Sequence, residues 1–161
     1  MKFVKMKYSK SLLLLMVVLS WLTFPLLGKD SIKRFLPAGI FISLVVAVED
    51  VIARKRKWWW WYEKLIPNVS GIVPFLWGPF LIGSMWILKL TYGRFIFYTI
   101  INFIVDSFFT LFMVDWLKKL GIASLIRLPK YQLSMIFFLK SLLLYGFQYV
   151  KEKIQYTKFR M

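Results

Sequence analysis

Asp106 sits in the apolar stretch Phe95 to Leu117, "FIFYTIINFIVDSFFTLFMVDWL", with Thr99, Asn102 and Thr110 as polar companions. The spacings of three, four and four residues place all four on one face of a helix. An aspartate at the centre of a membrane-crossing helix costs roughly 2.5–3.5 kcal/mol, and each surrounding Phe, Ile, Leu or Val returns about 0.3–0.6 kcal/mol, so the helix still inserts. Its polar face has two chemical uses. It binds helix to helix through hydrogen bonds away from lipid, or it lines a hydrated path in which Asp106 holds an ion or a proton. Lys140, part-way along the next apolar stretch, has a depth similar to that of Asp106. It is the expected ionic partner, although its long stem also suits snorkelling to a headgroup.

A second constellation is "RKRKWWWWY", Arg54, Lys55, Arg56 and Lys57 followed by Trp58, Trp59, Trp60, Trp61 and Tyr62. Cations beside indoles suit either a nucleic-acid surface, with bases stacked on the rings, or the rim of a membrane. Indole prefers the headgroup boundary, and each cation near anionic lipid contributes roughly 1 kcal/mol. On a helix, Trp58, Trp61, Tyr62 and Leu65 share a face and Pro67 ends it. The expectation is a short interfacial helix near residues 55–66 that anchors the chain to anionic lipid headgroups, with no nucleic acid involved.

Other chemistry is excluded by composition. The 161 residues contain no Cys and no His. This removes disulfides, thiolate nucleophiles, imidazole bases and histidine-ligated metals. "EDVIAR", with Glu49, Asp50 and Arg54, faintly resembles the Glu-Glu-x-x-x-Arg motif of CAAX-type intramembrane proteases. That family needs histidines on later helices, and a Gly-x-Gly-Asp motif of aspartyl intramembrane proteases is also missing. Glu49 and Asp50 read instead as partners of Arg54 and Lys57. The sequon Asn68-Val69-Ser70 is read as chance. No enzyme and no cofactor is expected.

The elements that must position these residues follow from hydropathy. Apolar residues make up 60% of the chain and the mean hydropathy is +0.65. About 20 apolar residues cross a bilayer, and five blocks qualify or nearly do: residues 11–27, 35–53, 71–92, 95–117 and 133–150. The apolar runs do not alternate with polar residues, which argues against a β-barrel. The expectation is an all-α polytopic bundle forming one integral membrane domain over 1–161. The first block is read as an uncleaved span, because no small-x-small cleavage site follows it. Pro74, Gly78, Pro79 and Gly83 predict a kink and close helix approach in the third.

The net charge is +16, from 23 Lys and Arg against seven Asp and Glu. With the N-terminus inside, thirteen cations fall on the inner side and nine on the outer, counting the tail and setting Lys140 aside. The basic tail then lies outside, so either it departs from the rule or one block does not cross. The stretch "RKWWWWYEKLIPNVSGIVPFLWGPFLIGSMWILKLTYGRF", together with "VDWLKKLGIASLIRL" and "LLLYGFQY", resembles uncharacterised small multi-spanning membrane proteins of spore-forming Gram-positive bacteria. The resemblance covers roughly residues 35–150 and implies a location in the cytoplasmic membrane. It implies no activity. Two functions follow from the residues: a packing, assembly or accessory protein that uses its polar face toward a membrane-protein partner or a second copy, or a small carrier or channel component with Asp106 as its site.

Overall fold

The computed structural model describes residues 9–62 and 70–158. Five helices among them are long and apolar enough to cross a membrane. Helix α1 (Ser9–Thr23) runs into a 3-10 turn (Phe24–Leu27) in which Pro25, lacking an N–H, needs no acceptor. Gly28, at φ 77°, reverses the chain into α2 (Lys29–Arg56). Helix α3 (Val73–Thr91) and helix α4 (Phe95–Lys119) are joined by a tight turn through Gly93, at φ 91°. Helix α5 (Lys130–Lys158) is one rod of 29 residues that includes the start of the basic tail. Helix accounts for 84% of the structure, so the all-α class holds.

The rods alternate in direction. At one end lie the α1–α2 turn, the α3–α4 turn and the last turns of α5. Arg34 there makes a two-pronged bond to Glu152, at 2.6 and 2.9 Å, and Lys89 donates to the Leu26 carbonyl at 3.1 Å. The tail therefore continues a helix that ends beside the two tight turns.

At the opposite end a departure from expectation appears. The interfacial helix expected near residues 55–66 is not found in its described part: Lys55 and Arg56 close α2, and residues 57–62 are not helical. Helix α2 stops where Lys57 turns left-handed, at φ 56° and ψ 42°. The chain then extends as strand β1 (Trp59–Trp61) and pairs antiparallel with β2 (Ala123–Leu125), with Trp60 opposite Ser124. The second half of the expected helix, including Leu65 and Pro67, lies outside the described residues. Aromatic residues suit a pleated ribbon as well as a helix, and the partner strand decides. Gly121, at φ 66°, ends α4 and turns the chain toward β2. A partner some sixty positions distant leaves no local trace. Because alternate strand residues face opposite ways, Trp59 is buried at 8% exposure while Trp60 stays at 46%.

Several buried apolar clusters hold the bundle. Near the tight turns, Phe35 and Ile42 of α2, Ile82 and Met85 of α3, Tyr98 of α4 and Leu144 of α5 form the main core. Gly39 permits the α2–α3 approach, since a Cβ there would stand 2.9 Å from Leu81 Cδ1. Gly78 does the same toward Val17 of α1, at 3.1 Å from its Cα. Gly83, also expected to permit close approach, instead faces open space. The sheet end has its own layers, around Leu13, Leu117 and Ile122 and around Ala53, Trp59 and Leu133. Between the two ends, α3 and α4 each contain a π-helical turn, Leu76–Phe80 and Phe109–Met113. The first surrounds Pro79, so the broken donor pattern expected there is accommodated by a wider turn. The outward faces are apolar: Leu22, Ile96, Phe103, Phe112 and Leu139 are all more than half exposed.

Candidate functional site

Adjacent carboxylates on α2 diverge, because successive helix residues point about 100° apart. Asp50 turns toward the sheet and is 1% exposed. Trp59 Nε1 donates to its Oδ1 at 2.9 Å, Ser70 Oγ donates to Oδ2 at 2.9 Å, and the Arg54 guanidinium lies 2.9 Å from Oδ2. This knot fastens strand β1 to the end of α2. Trp59 is thus a structural residue rather than the interfacial anchor its sequence context suggests. Trp58, half-buried, carries the Arg56 guanidinium over its ring at 5.7 Å, and Tyr62 shares a hydrogen bond with Ser124 Oγ at 2.9 Å. Arg54, Lys55, Arg56 and Lys57 all remain exposed, and Trp60 with them.

Glu49 points the other way, into the bundle, and takes the partner expected for Asp106. Lys140 Nζ donates to Glu49 Oε2 at 2.8 Å, and the same ammonium lies 4.3 Å from the Phe137 ring centre. Lys140 is 6% exposed. The expected Asp106–Lys140 pairing gives way to a Glu49–Lys140 pair, and Glu49 makes no ion pair with Arg54 or Lys57 among the described residues. Sequence reasoning placed both acids with the neighbouring cations. The 100° step between positions 49 and 50 is the signal that separates them.

Helix α4 presents its polar face inward, as expected, except at Thr99, which stays half-buried near the rim and bonds the Phe95 carbonyl. Asn102 Nδ2 donates to the Tyr98 carbonyl at 2.9 Å and Thr110 Oγ1 to the Asp106 carbonyl at 2.7 Å. Both satisfy themselves on their own helix. Tyr98, which the sequence reading passed over, makes the interhelical bond: its hydroxyl donates to the Ser141 carbonyl of α5 at 2.7 Å. Asp106 differs from all of these. Its Oδ2 is buried and has no hydrogen-bond donor among the described residues, although Lys140 lies within electrostatic reach.

Beside Asp106 is an open cleft of about 360 Å³ lined by residues of all five helices and the sheet. Its polar lining includes Asp106, Lys140, Asn102, the hydroxyls of Ser84, Ser124 and Ser141, and the indole of Trp61, whose Nε1 is buried without an acceptor among the described residues. Much of the remaining wall is aromatic, and four of its rings form a continuous file. Trp61 lies 6.1 Å from Phe75, Phe75 5.5 Å from Phe109, and Phe109 5.4 Å from Phe137, whose ring meets Lys140. Both π-helical turns contribute to the wall, through Pro79, Phe80, Phe109 and Met113. No group of three or more metal-ligating side chains occurs among the described residues. The chain matches no family model, no curated protein and no solved structure.

Proposed function

We propose that the chain is a multi-pass protein of the cytoplasmic membrane that acts without enzymatic chemistry as a small carrier or carrier component, with Asp106 as its ion or proton site. Five apolar helices with apolar outward faces support the membrane assignment. The sheet end faces the cytoplasm in this reading. It gathers Lys10, Arg54, Lys55, Arg56, Lys57, Lys118, Lys119 and Arg127, all exposed and suited to anionic headgroups. Reporter domains fused after Lys64 and after Tyr92 test the orientation. Activity on the outer side at Lys64 would reverse it.

The observation that carries the carrier reading is the buried, donorless Asp106 Oδ2 beside a cleft large enough to hold a solute. A polar face used only for packing consumes its polar atoms on neighbouring helices. Tyr98 does so through its hydroxyl and Glu49 through Oε2 to Lys140, and for them packing is the better reading, while Glu49 Oε1 is itself buried without a donor among the described residues. Asp106 Oδ2 has no such bond among the described residues. Reconstitution into vesicles loaded with a pH-sensitive dye tests the assignment. Under an imposed potential, the wild-type protein should move protons or cations and Asp106→Asn should not. Equal flux through both would remove Asp106 from any transport role.

A further inference from the structure

We propose that the cleft binds a lipophilic monovalent organic cation, a protonated amine or quaternary ammonium on an apolar or aromatic body, with the charge held at Asp106. The proposal rests on the carrier reading and names its substrate class.

Charge balance is the first argument. Glu49 and Lys140 neutralise each other at 2.8 Å. Asp106 is the third ionisable side chain of the cluster, so the ionised set carries one negative charge in excess. Among the described residues, Glu49 Oε1 and Asp106 Oδ2 both lack a donor, but Glu49 has its ion pair and Asp106 has none, so Asp106 is where a single positive charge or a proton is missing. Burying an unpaired carboxylate is costly, and a cationic guest removes that cost.

The wall supplies the second argument. A hydrated metal ion needs several oxygen ligands, and here one carboxylate faces an otherwise mostly aromatic and aliphatic surface. An anion meets the excess charge of Asp106, and the one ammonium present is already bonded to Glu49. A cation with an apolar body fits both ends of the site. Its charge meets Asp106, and its body meets the file Trp61, Phe75, Phe109 and Phe137. Ring faces attract desolvated cations, and the Lys140 ammonium over Phe137 shows this wall accepting one. The volume lies at the small end of ordinary ligand pockets, which suits a one- or two-ring molecule.

Three probes of one shape separate the possibilities: benzyltrimethylammonium, its neutral carbon isostere neopentylbenzene, and the anion benzylsulfonate. Each is titrated into the purified full chain in nonionic detergent, with tryptophan fluorescence read for saturation. The cation should saturate at one per chain and bind at least tenfold tighter than either isostere. Asp106→Asn should weaken it at least tenfold. Gly83→Leu keeps the carboxylate but fills the cleft, because Gly83 lines it and a Cβ there has no heavy atom within 4 Å. It should weaken the cation and the isostere alike, and it carries the test should Asp106→Asn fail to fold. Asp115→Asn, at an exposed carboxylate paired with Lys130, should leave binding unchanged. Cation binding that is indifferent to both Asp106→Asn and Gly83→Leu overturns the proposal. So does a preference for benzylsulfonate, or a co-purified phospholipid in the cleft that the cation does not displace. Proton flux that requires Asp106 without cation binding sinks this inference and leaves the carrier reading. Cation binding without any flux sinks the carrier reading and leaves this site.

Discussion

Asp50 and Asp106 are two inward-facing aspartates on apolar helices, and the protein furnishes them differently. Asp50 receives an indole N–H, a hydroxyl and a guanidinium, so each of its oxygens has a partner within 2.9 Å. Asp106 has Oδ2 buried with no donor among the described residues, beside a cleft. The first arrangement converts a buried carboxylate into a fastener, because hydrogen bonds to a charged acceptor are strong and their loss leaves the donors stranded. The second leaves a carboxylate free to take a partner from outside the chain. The comparison teaches that acidity within an apolar helix does not identify a functional group. The state of its hydrogen-bonding capacity does.

The largest expected effect concerns the neighbouring pair that makes the contrast possible. Lys140→Met strands Glu49 and leaves Asp106 without a nearby cation, and loss of one partner of a buried pair costs about 3–5 kcal/mol. The double variant Glu49→Gln with Lys140→Met should unfold at a higher temperature in detergent than Lys140→Met alone. If the paired change is instead Asp106→Asn with Lys140→Met and it restores stability better than the Glu49 double, the ionic partner of Lys140 has been misidentified.

Next is the fastener itself. Asp50→Ala leaves the Trp59 indole N–H buried without an acceptor, a loss of about 1–3 kcal/mol. Arg54, at 44% side-chain exposure, is rehydrated and adds little. Trp59→Phe removes the donor together with its need for an acceptor. In the Asp50→Ala background it should therefore cost less than in the wild type, and a thermal double-mutant cycle measures the difference. Strict additivity would mean that the knot does not act as a unit.

The smallest effect sharpens the contrast most. Asp106→Asn removes no observed side-chain hydrogen bond and relieves an unpaired buried charge. Stability in detergent should fall by less than about 0.5 kcal/mol or rise. A loss as large as that of Asp50→Ala would place Asp106 among the structural residues.

Much of this architecture is written locally. Blocks of apolar residues fix the number and type of the helices, because a run of about 20 such residues suits the thickness of a bilayer. Helical periodicity fixes the inward face of α4, where Asn102, Asp106 and Thr110 do point into the bundle. The sequence also determines that Glu49 and Asp50 diverge, through the 100° step between them. Tertiary structure alone decided three things. It chose a strand over a helix for Trp59–Trp61, since the ladder requires Ala123–Leu125 from a distant loop. It chose Glu49 over Asp106 as the partner of Lys140, because depth along a helix does not specify which neighbouring rod the side chain meets. It left the cleft open beside Asp106, since a void is a property of how five helices fit together and no single helix encodes it.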